Sequence, residues 1–460
     1  MRARPRLPLP VTLALALTAA VALAASAARA AGELAARDFA VRAGRVITLD
    51  GAEHAPGVLV VRDGRIAAVG GADVPVPEGL PVVDAGKAVL LPGFVEAHGT
   101  RGLEGAFETR PDASFVRASD AVNPASLAIA DARRNGLTTV LVSPPSIGLL
   151  AGRAAIVHPQ GVSVDGMVVR DDFAVKVSLA PAPGSSRMGH LARLRSLLDE
   201  TKRWLAEREE KARDRRADRE EIPATREAVI ALLAGEIAAL VDAPTAADVS
   251  SALALAREHE LRLILLLGPG AWRAAPLLAV NRVPVILTPD LEAWETQPDG
   301  TVLHVSMPKV LFDAGVEFAL TTDPSAVGAQ HPWYQAAAAV RAGVPRDVAL
   351  AAIARVPARI LGFGTTKGVL RPGADADFVL LSDDPLSGRA WVEAAYVKGA
   401  RIYERASDAM LVRLLSRVPE PPMTAPEIDH PIEPEVPELP RGTLEEELGS
   451  RWPASSVEPR

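Results

Sequence analysis

The side chains able to do chemistry in this chain are few and dispersed. It has no cysteine, which excludes disulfide scaffolds, thiolate zinc sites, iron–sulfur clusters and cysteine nucleophiles. Its eight histidines, His54, His98, His158, His190, His259, His304, His331 and His430, lie in scattered contexts. His158 follows an apolar run and His259 ends a helical stretch, settings in which histidine is usually structural. His331, in Gln330-His331-Pro332-Trp333 shortly after Asp323, is expected to face the same end of the fold as that carboxylate. The serines of Ser143-Pro144-Pro145-Ser146 and Pro183-Gly184-Ser185-Ser186 lack the Gly-x-Ser-x-Gly elbow of a hydrolase nucleophile. A triad of Ser146, His331 and Asp323 can be drawn on paper, but no spacing selects it. Arg153 and Arg187 sit in the stretches Leu149–Arg153 and Ser185–Met188, read as loops, and Arg101 follows His98-Gly99-Thr100. A ring of such residues would favour an anionic ligand such as a carboxylate, and solvated loop cations are the plainer reading.

What must position these residues is an alternation of strands and helices. Thr138–Val142, Phe173–Leu179, Ile237–Val241, Leu261–Leu267, Val283–Leu287 and Val316–Thr322 are near-continuous apolar runs of strand length. Helical stretches over Arg187–Arg215, Thr245–Glu260, Trp272–Val280 and Pro308–Ala314 separate most of them. Buried parallel strands read this way, and parallel neighbours need crossovers of this size. About eight such units match the scale of a (β/α)8 TIM barrel. An open doubly wound sheet is the alternative, but no Gly-rich nucleotide fingerprint follows any early strand. The flanks differ in texture. Arg45–Leu49, Val58–Arg62, Arg65–Val69 and Val82–Leu91 precede the barrel as short β-runs, with Asp63-Gly64 as a hairpin signal, and Asp377–Leu381 and Tyr396–Tyr403 follow it. The sign-alternating stretch Asp199–Glu221 reads as a solvated helix face, with a partner-binding arm as the lesser reading.

Composition narrows the partners. With 48% hydrophobic and 23% charged residues the chain is ordinary globular material, and a net charge of −7 argues against nucleic acid. Aromatic residues make up 4%, too few for stacking platforms. Arg2, Arg4 and Arg6 precede an apolar run, Val11–Ala25, and the small residues of Ala28-Arg29-Ala30. That run falls short of the ~20 residues that span a bilayer, so residues 1–30 read as a cleaved signal peptide and the protein as periplasmic or secreted, with no membrane span after cleavage. Beyond Val418, Pro431, Pro434, Pro437 and Pro440 recur every third residue in an acidic Pro/Glu-rich tail over 418–460, expected to be extended and disordered.

Several stretches resemble the amidohydrolase superfamily, in particular its imidazolonepropionase-like and dihydroorotase-like metal-dependent hydrolases. Asp63-Gly64-Arg65-Ile66 with Val69-Gly70 is similar to the family's entry strand, and Leu91-Pro92-Gly93-Phe94-Val95-Glu96-Ala97-His98 to its first barrel strand. Asp323, after Leu320-Thr321-Thr322, stands where the family places an Asp at the end of the last strand. Ala349-Leu350 through Leu361-Gly362, and Gly368-Val369-Leu370-Arg371-Pro372-Gly373-Ala374-Asp375-Ala376-Asp377-Phe378, resemble its closing motifs. The resemblance runs from about Arg45 to Tyr403. It implies a (β/α)8 barrel over 92–365 with a composite β-sandwich from 38–91 and 366–404.

The resemblance also implies a chemistry, from which this chain departs. Family members hold a divalent metal with a His-x-His pair on the first strand, a Lys or Glu and two His from middle strands, and the final Asp, which also serves as general base. Zinc needs three or more such ligands and an open position. Here the pair reads His98-Gly99-Thr100, Asp242 stands where a His is expected, and Leu266-Leu267-Gly268-Pro269 offers no ligand. The implied set is His98, Asp242 and Asp323 around one divalent metal, zinc first among candidates, or no metal at all. Asp323 is the implied catalytic base, and Lys176, Thr100, Arg101 and His331 are substrate-facing or supporting candidates. Two functions remain open: hydrolysis of a C–N bond in a small cyclic amide or N-acyl compound, and a catalytically inactive barrel that binds a small molecule or a partner. The resemblance leaves room for a homo-oligomer.

Overall fold

A computed structural model describes residues 38–105, 107–108, 110–181, 184–212, 221–323 and 329–416. The signal-peptide and Pro/Glu-rich tail expectations lie outside the described residues. Eight strands hydrogen-bond in chain order: β1 (Phe94–Gly99), β2 (Leu137–Val142), β3 (Leu150–Val157), β4 (Val168–Ser178), β5 (Ala238–Ala243), β6 (Leu263–Leu267), β7 (Val285–Leu287) and β8 (Phe318–Leu320). All neighbours pair in parallel except β3, which runs antiparallel to both β2 and β4. The seam between β8 and β1 is bridged by backbone: the Ala352 carbonyl accepts from Leu320 N at 2.8 Å and the Ile353 carbonyl from Val95 N at 3.0 Å. This is the TIM-barrel architecture, with additional sheets.

Side-chain alternation along the strands sorts two cores. Ala97, Ala174, Leu240, Leu266, Ile286 and Ala319 share one buried cluster, the barrel interior. Their neighbours Val175, Val241, Leu265, Val285 and Leu320 face the other way, into a larger cluster with the surrounding helices. Those helices include α1 (Leu127–Arg134), α2 (Arg187–Ala212), α3 (Ala224–Leu233), α4 (Ala246–His259), α5 (Ala275–Asn281), α6 (Met307–Asp313) and α7 (Pro332–Arg341). Local chemistry sets their ends. Thr245 and Asp248 form a reciprocal capping box at α4, and Ser126 caps α1. Among the described residues no helix is long and apolar enough to cross a membrane.

Two elements depart from the sequence reading. Leu149–Arg153, taken as a loop, begins β3, whose eight residues are all buried. Glu292–Thr296 and Val302–Ser306 form a separate antiparallel ribbon between β7 and β8.

The flanking runs build two more sheets. One orders Arg65–Gly71, Gly57–Arg62, Phe39–Ala43 and Val82–Asp84; the other orders Ala400–Glu404, Val392–Val397, Phe378–Leu381, Val89–Pro92, Arg45–Ile47 and Glu53–His54. The second thus mixes strands from before and after the barrel. Phe39, Leu59 and Ile66 of the first sheet pack with Leu90, Phe378 and Tyr396 of the second. Asp63 and Gly64 both take positive φ, 47° and 71°, as a tight turn between paired strands requires. A buried Lys367 Nζ, 3.0 Å from Asp375 and 2.5 Å from Asp377, ties the closing motif together. The described residues beyond Asp408, 409–416, belong to a separate unit and contain the short helix Ala409–Leu415.

The chain enters the barrel at Gly93, between Val89–Pro92 and β1. A Cβ there would collide with the side chain of Thr138 on β2, itself buried and donating to the Phe94 carbonyl at 3.3 Å. Neither wall can retreat, so Gly93→Ala is expected to cost about 1–3 kcal/mol as overpacking, read as a lowered denaturant midpoint at unchanged m-value.

Candidate functional site

The first strand supplies a buried acid. Glu96 is 2% exposed within β1, and a carboxylate so placed demands partners. It finds them across the seam. Arg101 Nε donates to Glu96 Oε2 at 2.6 Å and Arg101 Nη2 to Thr322 Oγ1 at 2.7 Å. Thr322 donates to Glu96 Oε1 from its backbone N at 3.1 Å and from its hydroxyl. The three residues clamp the first strand to the segment that leaves the last one.

Beside the clamp lies the interior pair. The register of β1 against β2 slips between Glu96 and Gly99, and His98 Nε2 there sits 3.0 Å from Lys176 Nζ. Lys176 points inward by strand alternation and is 1% exposed. Burial pushes its ammonium down from an ordinary 10.5 to about 8, with the Asp242 carboxylate pulling the other way. Burial also holds His98 well below the usual histidine range, and the charge of Lys176 adds to that. Near neutral pH, Lys176 is therefore the charged partner. An ammonium has only donors, so Nε2 accepts and the ring proton of His98 resides on Nδ1. Asp242, half-buried on β5, stands opposite Ser178 of β4, two residues beyond Lys176.

The remaining expected residues take other places. Asp323 follows Thr322 in the loop after β8, half-buried, its backbone N donating to the Ala329 carbonyl at 2.9 Å. Thr100 is exposed. His331 occupies the N-cap position of α7, where its side chain makes no capping hydrogen bond. Its Nδ1 lies 2.5 Å from Asn135 Oδ1, and its ring stacks on Trp333 at 4.7 Å. Arg153 belongs to β3 rather than a loop and is held by Asp172 and the Phe115 carbonyl at 3.0 and 3.1 Å. Arg187 opens α2 and is paired with Asp248 and Ser251. With Arg101 on Glu96, each of the three arginines has an acceptor, and among the described residues they form no ring of free cations. Glu96 and Thr322 are the residues that sequence reading passed over. Their signal was present: a carboxylate inside the apolar run Phe94–Ala97 must be paired or neutralised.

Zinc coordination requires three or more nitrogen or oxygen ligands near ~2.0–2.2 Å. Among the described residues no group of three His, Asp or Glu side chains comes together to hold a metal ion. The Nε2 of His98 already accepts from Lys176. As arranged, these side chains do not fit a divalent ion. What they do offer is a buried ammonium in an apolar barrel, with a neutral imidazole on one side and a carboxylate charge on the other.

Known proteins frame this geometry. An amidohydrolase family model matches residues 295–403. The amidohydrolase tasK of Hapsidospora irregularis is 32% identical over 96 residues, which is 21% of this chain. The chain spans about a tenth of the length of that curated relative. The crystal structure of an amidohydrolase from Thermotoga maritima superimposes with a TM-score of 0.72 at 26% identity, covering 80% of this chain and 100% of that one.

Two outcomes test the geometry. Arg101→Met leaves Glu96 enclosed without its cation and is expected to cost about 3–5 kcal/mol, whereas Glu96→Leu with Arg101→Met costs less than the single change; urea denaturation of the three proteins decides it. Lys176→Met removes a buried ammonium whose folded pKa lies below its unfolded one. The penalty is fully present below pH ~8 and disappears as pH rises toward 10.5, because only the unfolded chain is then protonated. The variant should therefore exceed wild type in stability at pH 6–7, with the gap closing between pH 8 and 10.

Proposed function

Because this chain belongs to the amidohydrolase superfamily, we propose that it hydrolyses the C–N bond of a small cyclic amide or N-acyl compound at the mouth of its barrel. One observation carries the reading: the enclosed Lys176 ammonium, with His98 at 3.0 Å and the Asp242 charge acting on it. A cation in a water-poor interior polarises a carbonyl far more effectively than one in solvent. In this reading the substrate carbonyl oxygen displaces His98 as acceptor of a Lys176 N–H. Water then attacks the carbonyl carbon while Asp323 takes its proton, and the tetrahedral oxyanion is held by Lys176 Nζ. Collapse breaks the C–N bond, and the proton held by Asp323 passes to the leaving nitrogen. No step is routed through a metal, for which the described side chains do not provide a fitting shell.

A second reading is favoured by a specific observation. Lys176 and His98 already satisfy each other, and the metal-ligand pattern implied by the family is incomplete at Thr100 and across Leu266–Pro269. A barrel of this kind serves as an exported binding protein for the same class of small molecule.

One experiment separates them. The purified protein is assayed for metal content and for turnover of a panel of hydantoins, lactams, dihydropyrimidines and N-acyl amino acids, with and without added zinc, beside Lys176→Met and Asp323→Asn. Hydrolysis predicts turnover in the wild type and a drop of about 10²–10³ in kcat for each variant. Absence of turnover under every metal condition, together with saturable binding of a panel member in calorimetry, would transfer the assignment to the binding reading.

A further inference from the structure

The seam between α2 and α4 is tied at one end and unsatisfied at the other. Near the start of α2, Arg187 is paired with Asp248 and Ser251 of α4. About two turns further on, Arg195 Nε donates to Glu258 Oε2 at 2.8 Å. His259, the last residue of α4, closes the seam. It is 2% exposed, and neither of its ring nitrogens makes a hydrogen bond among the described residues. Each faces a carboxylate oxygen beyond reach: Asp199 Oδ1 of α2 stands 3.9 Å from Nδ1, and Glu258 Oε1 3.9 Å from Nε2. Hydrogen bonds of this kind need about 2.7–3.2 Å. The setting suits neither protonation state. A neutral ring has one N–H and one lone pair, so one nitrogen turns a lone pair toward a carboxylate. A charged ring has two N–H groups, but it is a cation out of water with no acceptor in contact.

The charges around the ring decide between the two states. Burial acts most strongly against a proton, followed by Lys202 of α2; Glu258 and Asp199 favour one, and Arg195 of α2 opposes it. The balance holds His259 below the usual histidine range. We propose that His259 is an acid-opened joint: neutral, its ring seals the seam, and protonated, it parts the C-terminal end of α4 from α2. The side of α2 that acts on the ring carries two cations, Arg195 and Lys202, against one carboxylate, Asp199, so the new charge is repelled across the seam. Glu258, the remaining acid, is already held by Arg195 through its other oxygen. Arg187 and Asp248 keep the far end pinned, which confines the opening to one end. Above about pH 6.5 the ring is neutral in folded and unfolded chains alike and costs nothing. As pH falls below that, the unfolded chain takes up a proton that the closed seam refuses, and stability is lost. The joint lies outside the barrel interior, so it stands whether or not the hydrolytic reading holds.

Histidine labelled at Cε1 allows the ring to be titrated by NMR from about pH 8 to about pH 4.5, and amide exchange, corrected for its intrinsic rate, is measured on both sides of the midpoint. The His259 resonance is the one lost in His259→Leu. The expected result is a midpoint below the ordinary 6.5, with protection lost on the acid side over residues 195–203 and 255–261 and kept over 187–190. His259→Leu fills the seam without a proton site; its protection should be the same at both pH values, and its melting temperature should fall less steeply with acid. A midpoint at or above 6.5, as Asp199 closing on the ring would give, overturns the proposal. So does unchanged protection across the midpoint, or a ring that stays neutral until the whole protein unfolds. Should His259→Leu fail to fold, His259→Asn supplies the assignment, and the wild-type titration and exchange decide.

Discussion

A carboxylate enclosed in the wall of a β-barrel is untenable without a cation, and the placement of the site residues follows from how Glu96 meets that requirement. Its partners come from the far side of the seam, Arg101 from the loop after β1 and Thr322 from the chain leaving β8. Removing both charges from water is costly, and their attraction offsets that cost only when the geometry is good and the remaining lone pairs are met. Here Arg101 and Thr322 supply four donors to or around the one carboxylate. The consequence is positional. His98 lies two residues beyond Glu96 and Asp323 one beyond Thr322, so a single clamp sets the spacing of the first and last site residues. Among the described residues the backbone closes this seam with two hydrogen bonds, through Ala352 and Ile353.

The interior of the barrel gives Lys176 its character. Around it are alanine, leucine and isoleucine side chains such as Ala97, Ala174, Leu240 and Ile286, which solvate no charge. His98 is its one hydrogen-bond acceptor among the described residues, and Asp242 contributes through its field. The same three positions lie where the superfamily resemblance puts a metal shell; in this arrangement His98 Nε2 faces Lys176 Nζ, and Asp242 acts on Lys176 through its charge. Fold and site chemistry are separable in this way: the barrel requires apolar alternation on its walls, and the few inward polar positions set what it can do.

Much of this was legible in the sequence where one physical rule dominated. The apolar runs that became β2, β4, β5, β6, β7 and β8 were visible because parallel strands are covered on both faces. The Asp63-Gly64 turn was visible because few residues tolerate positive φ twice in succession. β3 was not, because Gly152 and Arg153 interrupt its apolar pattern and its partner strand lies across a bend in register. His98 and Lys176 were each singled out, but their contact was not, since 78 residues separate them and no local pattern links them. The clamp was missed for a related reason. Glu96 carried a signal of its own, while Thr322 carried none until the seam brought the two together. His331 shows the reverse error: proximity in sequence to Asp323 suggested the barrel mouth, and the chain instead turns outward to seat it on Asn135 and Trp333.

The seam has a temporal side. Val95 waits for Ile353 before its amide is met, and Glu96 waits for Thr322. About 260 residues separate the two sides of the seam, so β1 is an unpaired edge until the far side of the barrel is in place. During that interval a buried acid in the middle of the strand is an asset. A carboxylate there disfavours pairing with another chain, because an intruding strand would have to bury it without Arg101 and Thr322 in place. The carboxylate that locks the finished barrel is thus a poor strand edge for any other chain before closure.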